Sequence, residues 1–284
     1  MDNITINKNN NNSSLKIYNK DGFVFTSFKK LNSLNIVKNL ITTRIGGFSK
    51  GVFSTFNIAM NTGDNKEDVI NNFKLIADYF SIDLDNFYHA YQNHTVNVKV
   101  VHNEDRGYGV TKENSIGEYD AFITNEKRLV LYVSVADCVP IYLVDTVKVA
   151  IAVIHSGWRG TCNNIVSNTI KDMKKYYGTN PSDLVACIGP SICKDCYEVS
   201  YDLYDKFKKN YSDDYINKVF IKKDNGKFNL DLWLANKLNL INSGVLEENI
   251  DITNLCTYNN PDLFFSHRRH GKKRGNMGAF LMIM

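Results

Sequence analysis

Apolar residues recur at three- and four-residue intervals in three stretches: Val69, Phe73, Ile76, Ala77 and Phe80; Ile165, Val166, Ile170, Met173 and Tyr177; and Leu230, Leu234, Leu238 and Ile241. That period places each set on one face of a helix. Between and around them lie short, nearly continuous apolar runs: Val96 to Val101, Leu129 to Val135, Ile141 to Val144, Val149 to Ile154, Val185 to Ile188 and Phe280 to Ile283. Runs of this kind predict buried strands. Strands and helices do not alternate strictly, so the expected class is α+β, a single domain with mixed β-sheets flanked by helices. Asn9 to Ser14 is polar, Asn-rich and without apolar period, which predicts a flexible tail over residues 1–15 and a fold that starts near Lys16. No Pro/Gly/Ser-rich linker and no internal period divides residues 16–284, which read as one domain, with polar Lys208 to Asn225 as a surface excursion.

Composition agrees with a globular chain: 284 residues at 43% hydrophobic content supply a full core. No run of about twenty apolar residues appears, and Met1 to Asn7 lacks the basic-then-apolar pattern of a signal peptide, so a soluble cytoplasmic protein with no membrane segment is expected. The six cysteines are scattered through a chain too large to need disulfide staples, which favours reduced thiols or metal ligands. A formal charge of +4 is small for this length, and the Lys/Arg clusters lack interleaved aromatics or a helical stripe, which argues against nucleic acid as a partner. The densest basic cluster, Lys272-Lys273-Arg274, reads either as a solvated loop or as an anion site on the substrate side.

Reactive side chains stand at the exits of the apolar runs. Ala136-Asp137-Cys138 follows one, His155-Ser156-Gly157-Trp158-Arg159-Gly160 follows another, and Gln92-Asn93-His94 occupies a similar strand–turn setting. His94, Cys138 and His155 offer nitrogen, sulfur and nitrogen donors with one coordination position open, the pattern of a catalytic zinc. Singly, each also reads as a buried core residue. Asp137 points away from Cys138 if the strand persists, and at a strand end it turns either into the pocket as a general acid or base or into an ordinary turn. Arg44 precedes Gly46-Gly47, and Arg159 opens a turn into a helix near Gly160; each suits an anion such as phosphate, or else a salt bridge and an ordinary cap. Phe264-Phe265 followed by Ser266-His267-Arg268-Arg269-His270 either floors a pocket or faces water. Cys193-Lys194-Asp195-Cys196, with Cys187 nearby, has a spacing that suits a second metal site or a redox pair; with no second such pair and no His to close the set, free structural thiols are the simpler reading.

Taken in order, these stretches resemble the YfiH-like family, known as laccase-domain or multicopper polyphenol oxidase proteins, purine nucleoside phosphorylases and peptidoglycan-editing factors. The resemblance runs over nearly the whole chain, through Thr42-Thr43-Arg44, Asn57, Gly63-Asp64, Gln92-Asn93-His94, Asp120-Ala121, Ala136-Asp137-Cys138-Val139-Pro140, His155 to Gly160, Ile188-Gly189-Pro190-Ser191-Ile192, Tyr197-Glu198-Val199, Cys256-Thr257 and Ser266-His267-Arg268-Arg269. It implies one zinc per chain on His94, Cys138 and His155. It implies phosphorolysis of adenosine, inosine, guanosine and methylthioadenosine, with deamination of adenosine at the same site. Cys138, Asp137 as the proton-transfer residue and Arg159 would be the catalytic groups, and Arg44, Arg159, Gln92 and Arg268 would bind phosphate or substrate. The partners are then a small-molecule nucleoside and phosphate, and the chain a monomer or homodimer. Four positions depart from the family pattern: Thr95 stands where Gly is usual, Ser156 where Ala is usual, and His267 and His270 where Tyr and Asp are common. None is a proposed ligand, though Thr95 and His267 bear on the pocket's width.

Other readings use the same residues. An amide hydrolase editing peptidoglycan would use the same pocket. A copper-dependent polyphenol oxidase needs several coppers on closely spaced histidines, and six histidines are few for that. A metal-free thiol–imidazole pair of Cys138 and His155 would make a hydrolase. A non-catalytic, metal-stabilised binding module would have little reason to leave a coordination position open.

Overall fold

The computed structural model describes residues 14–113 and 117–284. The Asn-rich segment lies almost wholly outside them, and Leu15, expected in the tail, opens the first strand. Two six-stranded mixed sheets dominate. The first runs, edge to edge, Leu15–Lys20, Phe23–Phe28, Val37–Thr42, Met277–Ile283, Val130–Val135 and Phe87–Tyr88. The second runs Ile250–Ile252, Leu184–Ile188, Val139–Asp145, Ala150–Ser156, Ala121–Thr124 and Val98–Val100. A small three-stranded sheet joins Glu198–Val199, Phe228–Leu230 and Phe220–Lys222.

The continuous apolar runs are explained by burial on both faces. Leu131, Val133 and Val135 of one sheet meet Tyr142, Val144, Ile151 and Val153 of the other in a shared core. The alternate residues Val130 and Tyr132 pack outward with Phe280 against the helix Lys66–Phe80, through Phe73 and Ile76. On the far side, Val139, Ile141, Leu143, Ala152 and Ile154 pack against Val166, Ile170 and Met173 of the helix Ile165–Tyr177 and against the helix Leu232–Asn242. The molecule is therefore helix, sheet, sheet, helices, in four layers, the mixed sheets flanked by helices that the pattern predicts. The first two periodic stretches are helices; of the third, Leu234, Leu238 and Ile241 lie in the helix Leu232–Asn242 but Leu230 ends a strand, and the helix buries a different face, Leu232, Trp233, Ala235, Asn236, Asn239 and Leu240. Lys208 to Asn225 is more ordered than its polarity suggests: Ser212 caps the helix Asp213–Val219, whose Tyr215, Ile216 and Val219 are buried. Among the described residues no helix is long and apolar enough to cross a membrane.

Candidate metal centre and cavity

The core pairing brings the proposed ligands to one end of the second sheet. In the short turn by which the chain crosses from Val130–Val135 of the first sheet to Val139–Asp145 of the second, Asp137 adopts φ +84° and turns Cys138 out of the strand direction. His155 pairs with Pro140 in the adjacent strand, which sets it beside Cys138. His94 sits in the turn before Val98–Val100, itself at φ +59°. The donor atoms of His94, Cys138 and His155 lie within 4.8 Å of one another, and the two imidazoles stack with centroids 5.0 Å apart. Gly157 closes one side. A Cβ there would lie 2.9 Å from Cys138 Sγ and 3.5 Å from His94 Nδ1, so only glycine leaves the ligands their room.

Asp120 organises this site. Ala121 pairs with Ile154, which brings the wholly buried Asp120 alongside His155, and its Oδ1 takes the His155 Nδ1 hydrogen at 2.6 Å. The same carboxylate accepts from the backbone N–H groups of Asn93, His94 and Thr95 and from the Thr95 hydroxyl, at 3.3, 3.2, 2.6 and 2.9 Å. One buried anion thus orients the His155 ring, leaving Nε2 for coordination, and fixes the turn that carries His94. Thr95 strengthens this hold by its hydroxyl. Burial alone would lower the His155 pKa, but Cys138 and Asp120 outweigh it and raise it to about 10. Partial desolvation of its ring, then the neighbouring His155, lowers the pKa of His94 although the residue as a whole is exposed. A neutral imidazole, a thiol that hydrogen-bonds the second imidazole, and a carboxylate behind them form a donor set of N, S and N that fits zinc.

A cavity of about 1000 Å3 opens over the three ligands. Gln92, Asp137, Arg159, Arg268 and Arg274 line it, with His89, Tyr132, Trp158, Tyr197, Leu232 and His267. Arg159 stacks on Trp158 at 4.3 Å and Arg268 on Tyr197 at 5.0 Å, so two guanidiniums are presented on aromatic supports. Arg274 is the residue of the basic cluster that turns inward; Lys272 and Lys273 are exposed. Its Nε is buried with no hydrogen-bond partner among the described residues.

Three of the expected site residues have further engagements. Arg44 is absent from the cavity lining; its Nε and Nη1 donate to the carbonyls of Ser54 and Pro261, both at 3.0 Å, and the cation lies 4.6 Å over Phe265, so it braces loops. Asp137 does line the cavity, but both its oxygens are engaged, accepting from the Thr257 hydroxyl at 2.6 Å, the Ser266 hydroxyl at 3.0 Å and the Arg268 N–H at 2.7 Å. It anchors the segment that bears Arg268. Gln92 also lines the cavity while its amide pairs with both backbone groups of Ser134, at 3.1 and 2.6 Å, in place of a neighbouring strand. Of the departing positions, His267 lines the cavity, whereas Ser156 hydrogen-bonds Asn236 and Thr161 in the core and the His270 ring bonds the Ser266 backbone. Asp120 was visible in the sequence only as part of Asp120-Ala121 in the family resemblance, with no role attached, and Arg274 only as the last residue of a basic cluster.

The family model described as multi-copper polyphenol oxidoreductase laccase matches residues 38–284. The chain belongs to this YfiH-like family. It is 36% identical over 90% of its length to a purine nucleoside phosphorylase of Bacteroides thetaiotaomicron, covering 95% of that protein. It is 32% identical over 86% of its length to an adenosine deaminase from an unknown prokaryotic organism, covering 92% of it. The crystal structure of YlmD from Geobacillus stearothermophilus superposes with a TM-score of 0.88 at 29% identity, covering 96% of this chain and 99% of that one. These relatives carry names of enzymes that act on small molecules.

Proposed function

We propose that this YfiH-like protein is a zinc-dependent purine nucleoside phosphorylase, acting on adenosine, inosine, guanosine and methylthioadenosine, that also deaminates adenosine. The observation that carries the reading is the joint presence of an open three-ligand set and three arginines on the wall of one cavity. The names of the relatives support it.

Arg159, Arg268 and the unpartnered Nε of Arg274 would hold phosphate, the last of these gaining the hydrogen bond it lacks. Attack of a phosphate oxygen on the ribose C1′ forms the new C–O bond as the C–N bond breaks and its electron pair leaves with the purine. Positive charge that develops on the ribose is balanced by the phosphate, whose own charge the guanidiniums hold in register. Trp158, Tyr197 and Tyr132 give the base and sugar flat apolar walls. Zinc held by His94, Cys138 and His155 would supply Lewis acidity at the open coordination position, the chemistry deamination requires. Asp120 holds His155 in the coordinating tautomer, and Asp137 positions Arg268 rather than carrying the proton.

A laccase reaction has less support. Among the described residues the clusters able to hold a metal are His94 with Cys138 and His155, and a second made of cysteines alone, far short of the several histidine pairs that multicopper chemistry uses. The deciding experiment measures metal content and phosphate-dependent purine release on wild type and Cys138→Ala side by side. The expected result is loss of about one zinc per chain together with turnover. Turnover retained by Cys138→Ala would reject the reading, and turnover that depends on Cys138 without any metal would favour a thiol–imidazole hydrolase.

A further inference from the structure

The cysteine pair that the sequence left unclosed is completed by a residue from sixty positions further on. Cys193 precedes and Cys196 ends a single 3-10 turn, Lys194–Cys196. Ser191 bridges to Cys256 in parallel register, with Ser191 N–H donating to the Leu255 carbonyl at 3.2 Å and Thr257 N–H to the Ser191 carbonyl at 3.1 Å. This splice lays the turn that begins at Cys256 across the Cys193–Cys196 turn. The sulfur atoms of Cys193, Cys196 and Cys256 consequently lie within 4.8 Å of one another. Cys187, near the pair in the sequence, is buried elsewhere, in the core between the two large sheets.

We propose that Cys193, Cys196 and Cys256 form a second, structural metal site for a thiophilic d10 cation, Zn2+ or Cu(I), separate from the His94, Cys138 and His155 centre. A tetrahedral zinc with Zn–S bonds of about 2.3 Å separates its sulfurs by about 3.8 Å, which requires only a small closing of the trio. Three sulfurs alone satisfy trigonal Cu(I), which thiolates select. Zinc needs a fourth donor, and Asn259 Oδ1 lies 3.2 Å from Cys196 Sγ. The Cys256 sulfur already accepts the Cys193 N–H at 3.3 Å, along with the backbone N–H groups of Tyr258 and Asn259. Such N–H···S bonds offset the charge of a buried thiolate, which three uncharged thiols would not need. Cys193 and Cys256 are almost wholly buried, while Cys196 keeps an exposed edge through which an ion can enter. The site would clamp two turns, and through Ile192 and Tyr197 it would hold one wall of the substrate cavity.

The test uses the full-length protein, stripped of metal under reducing conditions. Alkylation of each cysteine is followed by peptide mass spectrometry with no addition, with Zn2+ and with Cu(I). The expected result is that one of the two ions slows labelling of Cys193, Cys196 and Cys256 together. Weakening of the effect in Asn259→Ala with Zn2+ but not Cu(I) would identify the amide as the fourth zinc donor. Metal content gives the independent readout: wild type should hold about two ions per chain, Cys138→Ala about one, and Cys138→Ala/Cys193→Ser/Cys256→Ser none. Labelling of Cys196 at the same rate under all three conditions would overturn the site. A Cys138→Ala protein that holds no ion after loading, or a Cys193–Cys196 disulfide in freshly purified protein, would do the same.

Discussion

At the residue scale, the site depends on one carboxylate that is not itself a ligand. In Asp120→Asn the bond to His155 Nδ1 loses its charge and can settle on the wrong tautomer. Zinc affinity at the His94, Cys138 and His155 site should fall about 10- to 100-fold, measured by chelator competition. Gly157→Ala should weaken the same site by pushing a Cβ to 2.9 Å from Cys138 Sγ, with little change in thermal stability. His89 gives a pH signature of a different kind. Burial depresses its pKa to about 4, against an ordinary value of 6.5, so the unfolded chain takes up a proton where the folded one does not. Stability is full above about pH 6.5 and is lost as pH falls toward 4; melting temperature against pH should show this slope, flattened in His89→Gln. The proposed ligands were legible as candidates in the sequence because His and Cys at the exits of buried strands are chemically conspicuous, and the structure brings their donor atoms together. Asp120 was not, since its role depends on the register that sets Ala121 opposite Ile154, and register is a tertiary fact. The partners of Arg44 were illegible for the same reason: a Gly-Gly turn announces a tight bend but not which carbonyls will hold the guanidinium.

At the element scale, long periodic segments were readable and short ones were not. The helix Lys66–Phe80 has the Asn65 side chain capping its N-terminus, acidic residues in its first turn and a single apolar face. That face centres on Phe73, which is fully buried and meets Phe87, Tyr132 and Phe280 edge-on. Phe73→Ala should cost about 3–5 kcal/mol, read by denaturant unfolding, while the variant that stays folded should bind metal at His94, Cys138 and His155 as well as wild type does. Leu15–Lys20 escaped the sequence reading because only its first residue is fully buried, and Ala121–Thr124 because four residues are too few to show a period. The helix Asp213–Val219 escaped because two acidic residues and a lysine mask three buried positions.

At the scale of the whole molecule, the feature that governs assembly is the placement of Met277–Ile283. This strand lies in the middle of the first sheet, paired with Val37–Thr42 on one side and Val130–Val135 on the other. Deleting residues 277–283 should therefore leave no cooperative thermal transition and no zinc site, by calorimetry and metal analysis, although none of the deleted residues is a ligand. The same placement bears on folding speed. Both partner strands lie far from Met277–Ile283 in the sequence, so the sheet closes only through contacts of long sequence separation, and the loop-closure cost of those contacts makes completion of this sheet the slow step of folding.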